Sequence, residues 1–283
     1  MATQAGGYYL PAPSYWPVMG STGLFFMAIG AVLLFNELTT AGWVSLAVGA
    51  LILIYMMVGW FGTVIRENER GLYNKQVDIS YRWAMSWFIF SEVMFFAAFF
   101  GALFYMRVLS VPWLGEIDQK LLWPDFTPGW PVAGPGIKEQ FTPIGAWGIP
   151  AINTLLLLSS GVTVTWAHWG LKKNNRAQLI WGLVFTIALG IAFLALQAYE
   201  YGHMIRDLNV TLSMGAYGAT FFMLTGFHGF HVTIGTIMLI VILGRALAGH
   251  FTPDNHFAFE GVSWYWHFVD VVWLLLFVFV YWL

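Results

Sequence analysis

The sequence predicts an all-α membrane protein with seven transmembrane helices. Apolar residues make up 59% of the 283 residues and charged residues only 9%, whereas roughly a quarter of the residues in soluble domains are charged. Seven stretches are apolar and nearly free of charge, and each is long enough to cross a hydrocarbon layer about 30 Å thick as a helix. They lack the alternation of polar and apolar residues that membrane β-barrels require, so helices are favoured over strands.

The predicted spans follow one another along the whole chain. They cover residues 17–36, 40–65, 83–106, 144–169, 177–199, 211–244 and 262–283. We expect one transmembrane domain, residues 1–283. The longest connection, 107–143, holds six of the eleven prolines and is predicted to form an ordered, irregular cap on the outer side.

Basic residues predict the orientation of the spans. The second, fourth and sixth loops contain eight of the twelve Lys and Arg residues, and loops on the cytoplasmic side collect such residues. We therefore expect the N-terminus inside and the C-terminus outside. These eight residues are Arg66, Arg70, Lys75, Arg82, Lys172, Lys173, Arg176 and Arg245.

Composition excludes several classes of site and partner. There is no cysteine, which rules out disulfides, iron–sulfur clusters and thiolate copper centres. The net charge of −2 gives no basic surplus for nucleic acid. All lysines lie in loops, so a retinal Schiff base within a span is also excluded.

Glu92 is a carboxylate near the middle of the third span, where an ion is most costly. Acids at this depth are candidates for proton transfer. The alternative is a neutral, hydrogen-bonded acid that fixes helix packing, with Ser91 or a neighbouring helix as partner. The sequence leaves both interpretations open.

Two histidines share one face of the sixth span, because His228 and His231 are three residues apart. Such a pair could hold a metal or haem iron, but the other histidines lie near span ends or in loops. Hydrogen bonding between helices is therefore the favoured interpretation, and no metal site is predicted. The same spacing pairs His267 with Asp270 at the start of the last span, where an ion pair that orients the helix is favoured over a proton relay.

Small residues four apart suggest where helices touch. They are Gly182, Thr186 and Gly190 in the fifth span, and Ala97 with Gly101 in the third. Glycine is common in membrane helices in any case, which is the alternative explanation.

Arg245 and His250 follow the sixth span close to a surface rich in aromatic residues. Cationic groups at this depth can hold lipid phosphates, while aromatic rings settle at the level of the headgroups. Ordinary snorkelling of the side chains, without a specific lipid, is the alternative.

Five stretches of the chain resemble one protein family, the third subunit of cytochrome c oxidase. The stretches read "WFIFSEVMFF", "PAINTLLLLSSGVTVTWAHWGL", "LQAYEYGH", "TGFHGFHVTIGTIML" and "HFAFEGVSWYWHFVDVVWLLLFVFVYWL". Together with "PSYWP" near the start, they cover nearly the whole chain apart from the segment 107–143.

The resemblance implies a fold and a role. The seven helices would form a two-plus-five bundle around a V-shaped, lipid-filled cleft. The chain would have no catalytic residue and no redox cofactor, while haem a and copper would reside in partner subunits I and II, with cytochrome c as the electron donor. Its implied tasks are to stabilise subunit I, to support proton uptake and to bind phospholipids, with a route for oxygen as a further implication.

The resemblance also assigns residues. Glu92 matches a buried glutamate of the third helix, and Arg245 and His250 match positions that hold phosphate. Trp60 and Arg66 match part of a lipid contact on the second helix.

The chain departs from the mitochondrial pattern in two places. Phe61, Gly62 and Thr63 stand where tryptophan, arginine and aspartate are familiar, and the segment 107–143 is longer. Because of the longer segment we expect a bacterial plasma membrane, with the N-terminus cytoplasmic and the C-terminus periplasmic; the mitochondrial inner membrane is the less favoured location.

Three other functions remain open from the sequence. One is subunit III of a quinol-oxidising haem–copper oxidase, although those usually have five helices. Another is a free-standing transporter, motivated by Glu92, although few other ionisable groups lie within the spans. The third is a structural assembly factor.

Overall fold

A computed structural model describes residues 9–137 and 140–283, without the side chain of Ile117. Residues 1–8 and 138–139, which belong to the predicted domain and loop, lie outside the described residues. The described part of the chain is helical and contains no β-strand. Seven of its helices are long and apolar enough to cross a membrane, which confirms the predicted all-α fold with seven spans.

We number these seven helices in chain order. They are α1 (Trp16–Phe35), α2 (Thr39–Glu69), α3 (Lys75–Phe104), α4 (Ile149–Lys172), α5 (Arg176–Asp207), α6 (Gly215–Ala248) and α7 (Phe257–Leu276). Two of them continue as π-helical segments: α3 through Tyr105–Ser110 and a last turn, Val111–Trp113, and α7 through Phe277–Trp282. A short helical turn, Ile117–Lys120, follows α3.

Several helices extend beyond the predicted spans. α3 begins at Lys75 rather than at residue 83, and α5 ends at Asp207 rather than at residue 199. A search for uncharged stretches stops at the first polar residues, whereas a helix can continue into the polar region at the membrane surface. α4 begins later than predicted, after Gly148, whose φ of 101° is not helical.

The chain forms two compact units, divided between Tyr81 and Arg82. The prediction of a single domain, and the two-plus-five arrangement with its cleft, therefore stay predictions.

In the first unit, α1 and α2 form a hairpin whose backbones approach closely at glycines. A Cβ atom at Gly49 would lie 2.7 Å from the carbonyl oxygen of Gly23, and one at Gly30 would lie 3.0 Å from that of Gly42. Ser45 Oγ donates a hydrogen bond to the carbonyl oxygen of Phe26, at 2.7 Å. Close approach through small residues is typical of helix pairs in membranes, where apolar burial alone does not drive association.

In the second unit, α4 to α7 share a core of aromatic rings tied by polar contacts. Trp266 and Trp273 are fully buried, and their indole N–H groups donate to Ser160 Oγ at 2.8 Å and Thr154 Oγ1 at 2.9 Å. Because Trp266 and Trp273 lie on α7 and both acceptors lie on α4, these bonds fix the two helices against each other.

The predicted contacts of α5 are confirmed. A Cβ atom at Gly182 would lie 2.7 Å from that of Ala167, and one at Gly190 would lie 2.8 Å from the Trp266 ring. Thr186 shares a 2.7 Å hydrogen bond with Thr163 of α4.

The predicted contact through Ala97 and Gly101 of α3 is not found within the second unit. Both residues are exposed, and a Cβ atom at Gly101 would meet nothing within 4 Å among the described residues. Instead, α3 packs its second half on α6 and α7 through Phe96, whose ring centroid lies 5.0 Å from that of His231 and 6.0 Å from that of Phe268.

The segment between α3 and α4 bonds to the start of α6. The backbone N–H groups of Ala216 and Tyr217 donate to the carbonyl oxygens of Ala133, at 2.8 Å, and Val132, at 3.2 Å. These bonds satisfy donors that the first turn of a helix leaves free.

Candidate functional site

Glu92 lies on α3, where its side chain pairs with His231 of α6. Its Oε2 atom is 2.9 Å from Nε2 of His231, and Nδ1 of the same ring is 2.6 Å from the carbonyl oxygen of Phe227. Ser91 bonds to the carbonyl oxygen of Phe88 instead of to Glu92. The acid therefore finds its partner on a neighbouring helix.

The hydrogen-bond pattern limits where protons can sit on this pair. Because a carbonyl oxygen only accepts hydrogen bonds, Nδ1 of His231 carries a hydrogen. Nε2 then either accepts from a protonated Glu92 or, in an imidazolium, donates to its carboxylate. Both arrangements hold the same number of protons, and the rings of Phe95, Phe96 and Phe268 pack around the imidazole.

His228 has a different environment from His231. Its ring is fully buried beside Phe193 and Trp273, with centroids 5.8 Å and 5.2 Å away. Neither ring nitrogen has a hydrogen-bond partner among the described residues, so the interhelical hydrogen bond expected from sequence is found at His231 and not at His228. Both ring nitrogens of His231 are instead engaged, by Glu92 and by the carbonyl oxygen of Phe227.

His267 and Asp270 lie together on α7, with Nδ1 of His267 3.6 Å from Oδ2 of Asp270. Nε2 of His267 is 3.3 Å from Thr165 Oγ1 of α4. The Asp270 carboxylate is buried against Gly161, where a Cβ atom would collide with Oδ2. The pair thus contributes to the contact between α7 and α4.

The residues predicted to bind lipid fall in both units. In the first, Trp60 and Arg66 are exposed on α2, and Nη2 of Arg66 donates to Thr63 Oγ1 at 3.0 Å. In the second, the Arg245 guanidinium lies 4.7 Å from the centre of the Phe251 ring.

His250 follows α6 in the second unit and is half-buried. Its backbone N–H donates to the carbonyl oxygen of Arg245 at 3.1 Å. A cavity of about 230 Å³ lies next to this turn, lined by Arg176, Ala246 and Phe251 among others.

A further buried acid, Glu200, was missed in the sequence because the fifth span was ended at residue 199. It is fully buried on α5, and Tyr281 Oη donates to its Oε1 at 2.7 Å. Gln197 extends the network, since its Nε2 lies 3.4 Å from Tyr281 Oη and its Oε1 lies 3.4 Å from Asn153 Nδ2. The signal that could have found Glu200 is its position one turn after Gln197 on the same helical face.

Another acid, Glu260, was also missed as a site residue. Its carboxylate forms an ion pair with Arg82 through Oε2, and its Oε1 is 3.3 Å from Nε2 of both His168 and His256. His256 and Glu260 are four residues apart, a spacing visible in the sequence. His168 belongs to α4, and no local spacing connects it to them.

Comparison with known proteins places the whole chain in one family. The family model for cytochrome c oxidase subunit III matches residues 6–283. Proteins named cytochrome c oxidase subunit 3 are similar over full length. That of Marchantia polymorpha is 41% identical, covering 99% of this chain and 97% of its own length. Those of Formosania lacustris and Papio hamadryas are 41% and 40% identical, covering 100% of this chain and 99% of theirs. The chain therefore belongs to the cytochrome c oxidase subunit III family.

Proposed function

We propose that this chain is a subunit III without a redox centre of its own, which stabilises subunit I, holds phospholipids and supports proton uptake in a proton-pumping cytochrome c oxidase. Family membership makes the chain a subunit of an oxidase complex in respiration. Under the proposal, haem a and copper belong to subunits I and II, and cytochrome c donates the electrons.

The observation that carries the proposal is the exposed apolar surface of the first three helices. In an apolar stretch of 18 residues taken from each helix, only 11%, 6% and 11% of the residues of α1, α2 and α3 are buried within the chain. The corresponding fraction is 33% to 50% for α4 to α7. Exposed side chains of this kind include Trp43, Leu51, Phe61 and Phe90. Such faces need an apolar neighbour, which a partner subunit's helices or lipid acyl chains would supply.

Phospholipid binding is proposed at two places, one in each unit. At the first place, Arg66 and the exposed ring of Trp60 lie near the end of α2. At the second place, near the end of α6, Arg245 stacks on Phe251 and is followed by His250. A guanidinium can form charge-assisted hydrogen bonds to a lipid phosphate.

A route for oxygen is proposed along the groove between α3 and α7. The groove has a volume of about 490 Å³ and is lined mainly by apolar residues, including Ile89, Val93, Phe268 and Val271. A small apolar molecule would be retained there better than water.

We place the protein in a bacterial plasma membrane, with a cytoplasmic N-terminus and a periplasmic C-terminus. The distribution of Lys and Arg among the loops supports this orientation.

The role in the complex is tested by affinity purification of the tagged chain in mild detergent. We expect haem a and copper to be recovered with it, detected by the reduced-minus-oxidised visible spectrum and by metal analysis. Recovery of haem b or o without haem a would move the chain to a quinol oxidase. A colourless preparation free of copper, even after gentler extraction, would contradict the proposal.

The lipid site is tested with Arg245→Ala, and Arg206→Ala serves as the control because Arg206 is exposed at the far end of α5. Native mass spectrometry of the purified complex should show fewer bound phospholipids in the first variant than in the control. Equal lipid content in both complexes would contradict lipid binding at Arg245.

A further inference from the structure

We propose that His168, His256 and Glu260 form a binding site for Zn²⁺ where α4 ends and α7 begins. Their ligand atoms all lie within 4.8 Å of one another. Among the described residues, no other group of three or more His, Asp and Glu side chains converges in this way. The sequence predicted no metal site, and His168 is far from the other two residues along the chain.

The distances suit a zinc ion. With Zn–N and Zn–O bonds of about 2.1 Å, two ligands of a tetrahedral ion are separated by about 3.4 Å. Nε2 of His168 and Nε2 of His256 each lie 3.3 Å from Oε1 of Glu260. Two edges of the ligand triangle therefore have the required length before any metal binds. Two imidazoles and one carboxylate are also a ligand set that zinc uses in proteins.

The His256 ring is oriented as metal-binding histidines usually are. Its Nδ1 atom lies 3.1 Å from the carbonyl oxygen of Thr252. Since that oxygen only accepts hydrogen bonds, Nδ1 carries the hydrogen and Nε2 of the neutral ring presents its lone pair. A hydrogen bond from the second ring nitrogen to a carbonyl is typical of histidines that bind metals.

Two ligand atoms of the cluster face each other as hydrogen-bond acceptors. The lone pair of His256 faces a carboxylate oxygen 3.3 Å away, and two acceptors at this distance repel each other unless a proton or a metal ion lies between them. Nε2 of His168 and Nε2 of His256 have no hydrogen-bond partner among the described residues, although His256 is nine-tenths buried. A zinc ion would satisfy all three ligand atoms together.

The surroundings hold the ligands and moderate the affinity. The His168 ring packs against Phe259 and His256, with centroids 5.4 Å and 5.6 Å away. Arg82 pairs with Oε2 of Glu260 and leaves Oε1 directed at the histidines. Because the guanidinium charge opposes a second cation, we expect Zn²⁺ to bind reversibly. The site lies at helix ends, where aqueous ions can reach it.

The test uses the intact oxidase complex, stripped with a chelator and then equilibrated with radioactive Zn²⁺. The complex with the unchanged chain should bind one more Zn²⁺ than complexes carrying His168→Gln or His256→Ala. His203→Ala is the matched control, because His203 lies near the other end of the bundle and its ring pairs with Asp207. It should bind as much Zn²⁺ as the unchanged complex.

Zinc X-ray absorption distinguishes this site from others in the complex. The difference between the unchanged and His256→Ala complexes should show imidazole nitrogen and carboxylate oxygen ligands. Equal zinc content in these two complexes, or an equal loss in His203→Ala, would overturn the proposal. If neither ligand variant assembles, anomalous scattering from the unchanged complex soaked in Zn²⁺ decides: a peak between the three side chains supports the site, and its absence overturns it.

Discussion

The helices of the α1–α2 hairpin and those of the α4–α7 bundle are held together by different kinds of contact. In the hairpin, glycines bring two backbones together, and most side chains point away from the contact. In an apolar stretch of 18 residues of α2, 6% of the residues are buried. In the bundle, tryptophans, threonines and acids form hydrogen bonds between helices. In the corresponding stretch of α7, 50% of the residues are buried.

The difference shows what each region needs from its environment. The bundle satisfies many of its polar groups internally, so we expect it to be stable by itself in a membrane. The hairpin presents apolar faces on most of its surface, so its stability should depend on the lipids or helices that cover it. Variants in each region can test this contrast.

The largest effect is expected for Trp266→Ala in the bundle. The buried indole occupies a space bounded by Gly190 and Gly235 and donates to Ser160. Its removal leaves a cavity and should lower the free energy of unfolding by about 3 kcal/mol or more. The loss of stability is measured as a lower midpoint temperature for dissociation of this chain from the complex on heating. Trp181→Ala, at an exposed position of α5, should have little effect; similar losses in both variants would contradict the account.

A smaller effect is expected for Gly49→Val in the hairpin. The new side chain would meet the backbone at Gly23 and Met27, so α1 must move away from α2. Overpacking of this kind costs about 1–3 kcal/mol. The same substitution at Gly62, where the nearest atom to an added Cβ is 3.6 Å away on the flexible Arg66 side chain, is the control. Thermal stability that falls equally in the two variants would show that the close approach does not matter.

The smallest effect is expected for Glu92→Gln. Glutamine can keep a hydrogen bond to His231, and the other ring nitrogen of His231 bonds to the carbonyl oxygen of Phe227, which cannot pass a proton on. Assembly and turnover of the complex should therefore change little. The measurement is oxygen consumption together with proton pumping in vesicles. Normal assembly with most of the pumping lost would contradict this interpretation and favour proton transfer through Glu92.

The number of helices could be predicted from the sequence because the membrane imposes a minimum length of apolar residues on every span. Glu92 stood out for the same reason, as a charge inside a span. Its partner His231 could not be identified, since 139 residues separate them and contacts between helices leave no local spacing. Glu200 and Glu260 were missed because each lies near the end of a span, where an acid looks like an ordinary surface residue.

The dependence of the hairpin on its surroundings is tested most directly by hydrogen exchange during stepwise removal of phospholipid from the purified complex. We expect amides of α1 and α2 to lose protection first, while those of α6 and α7 stay protected until the complex unfolds. Simultaneous loss of protection in both regions, or earlier loss in α6 and α7, would contradict it.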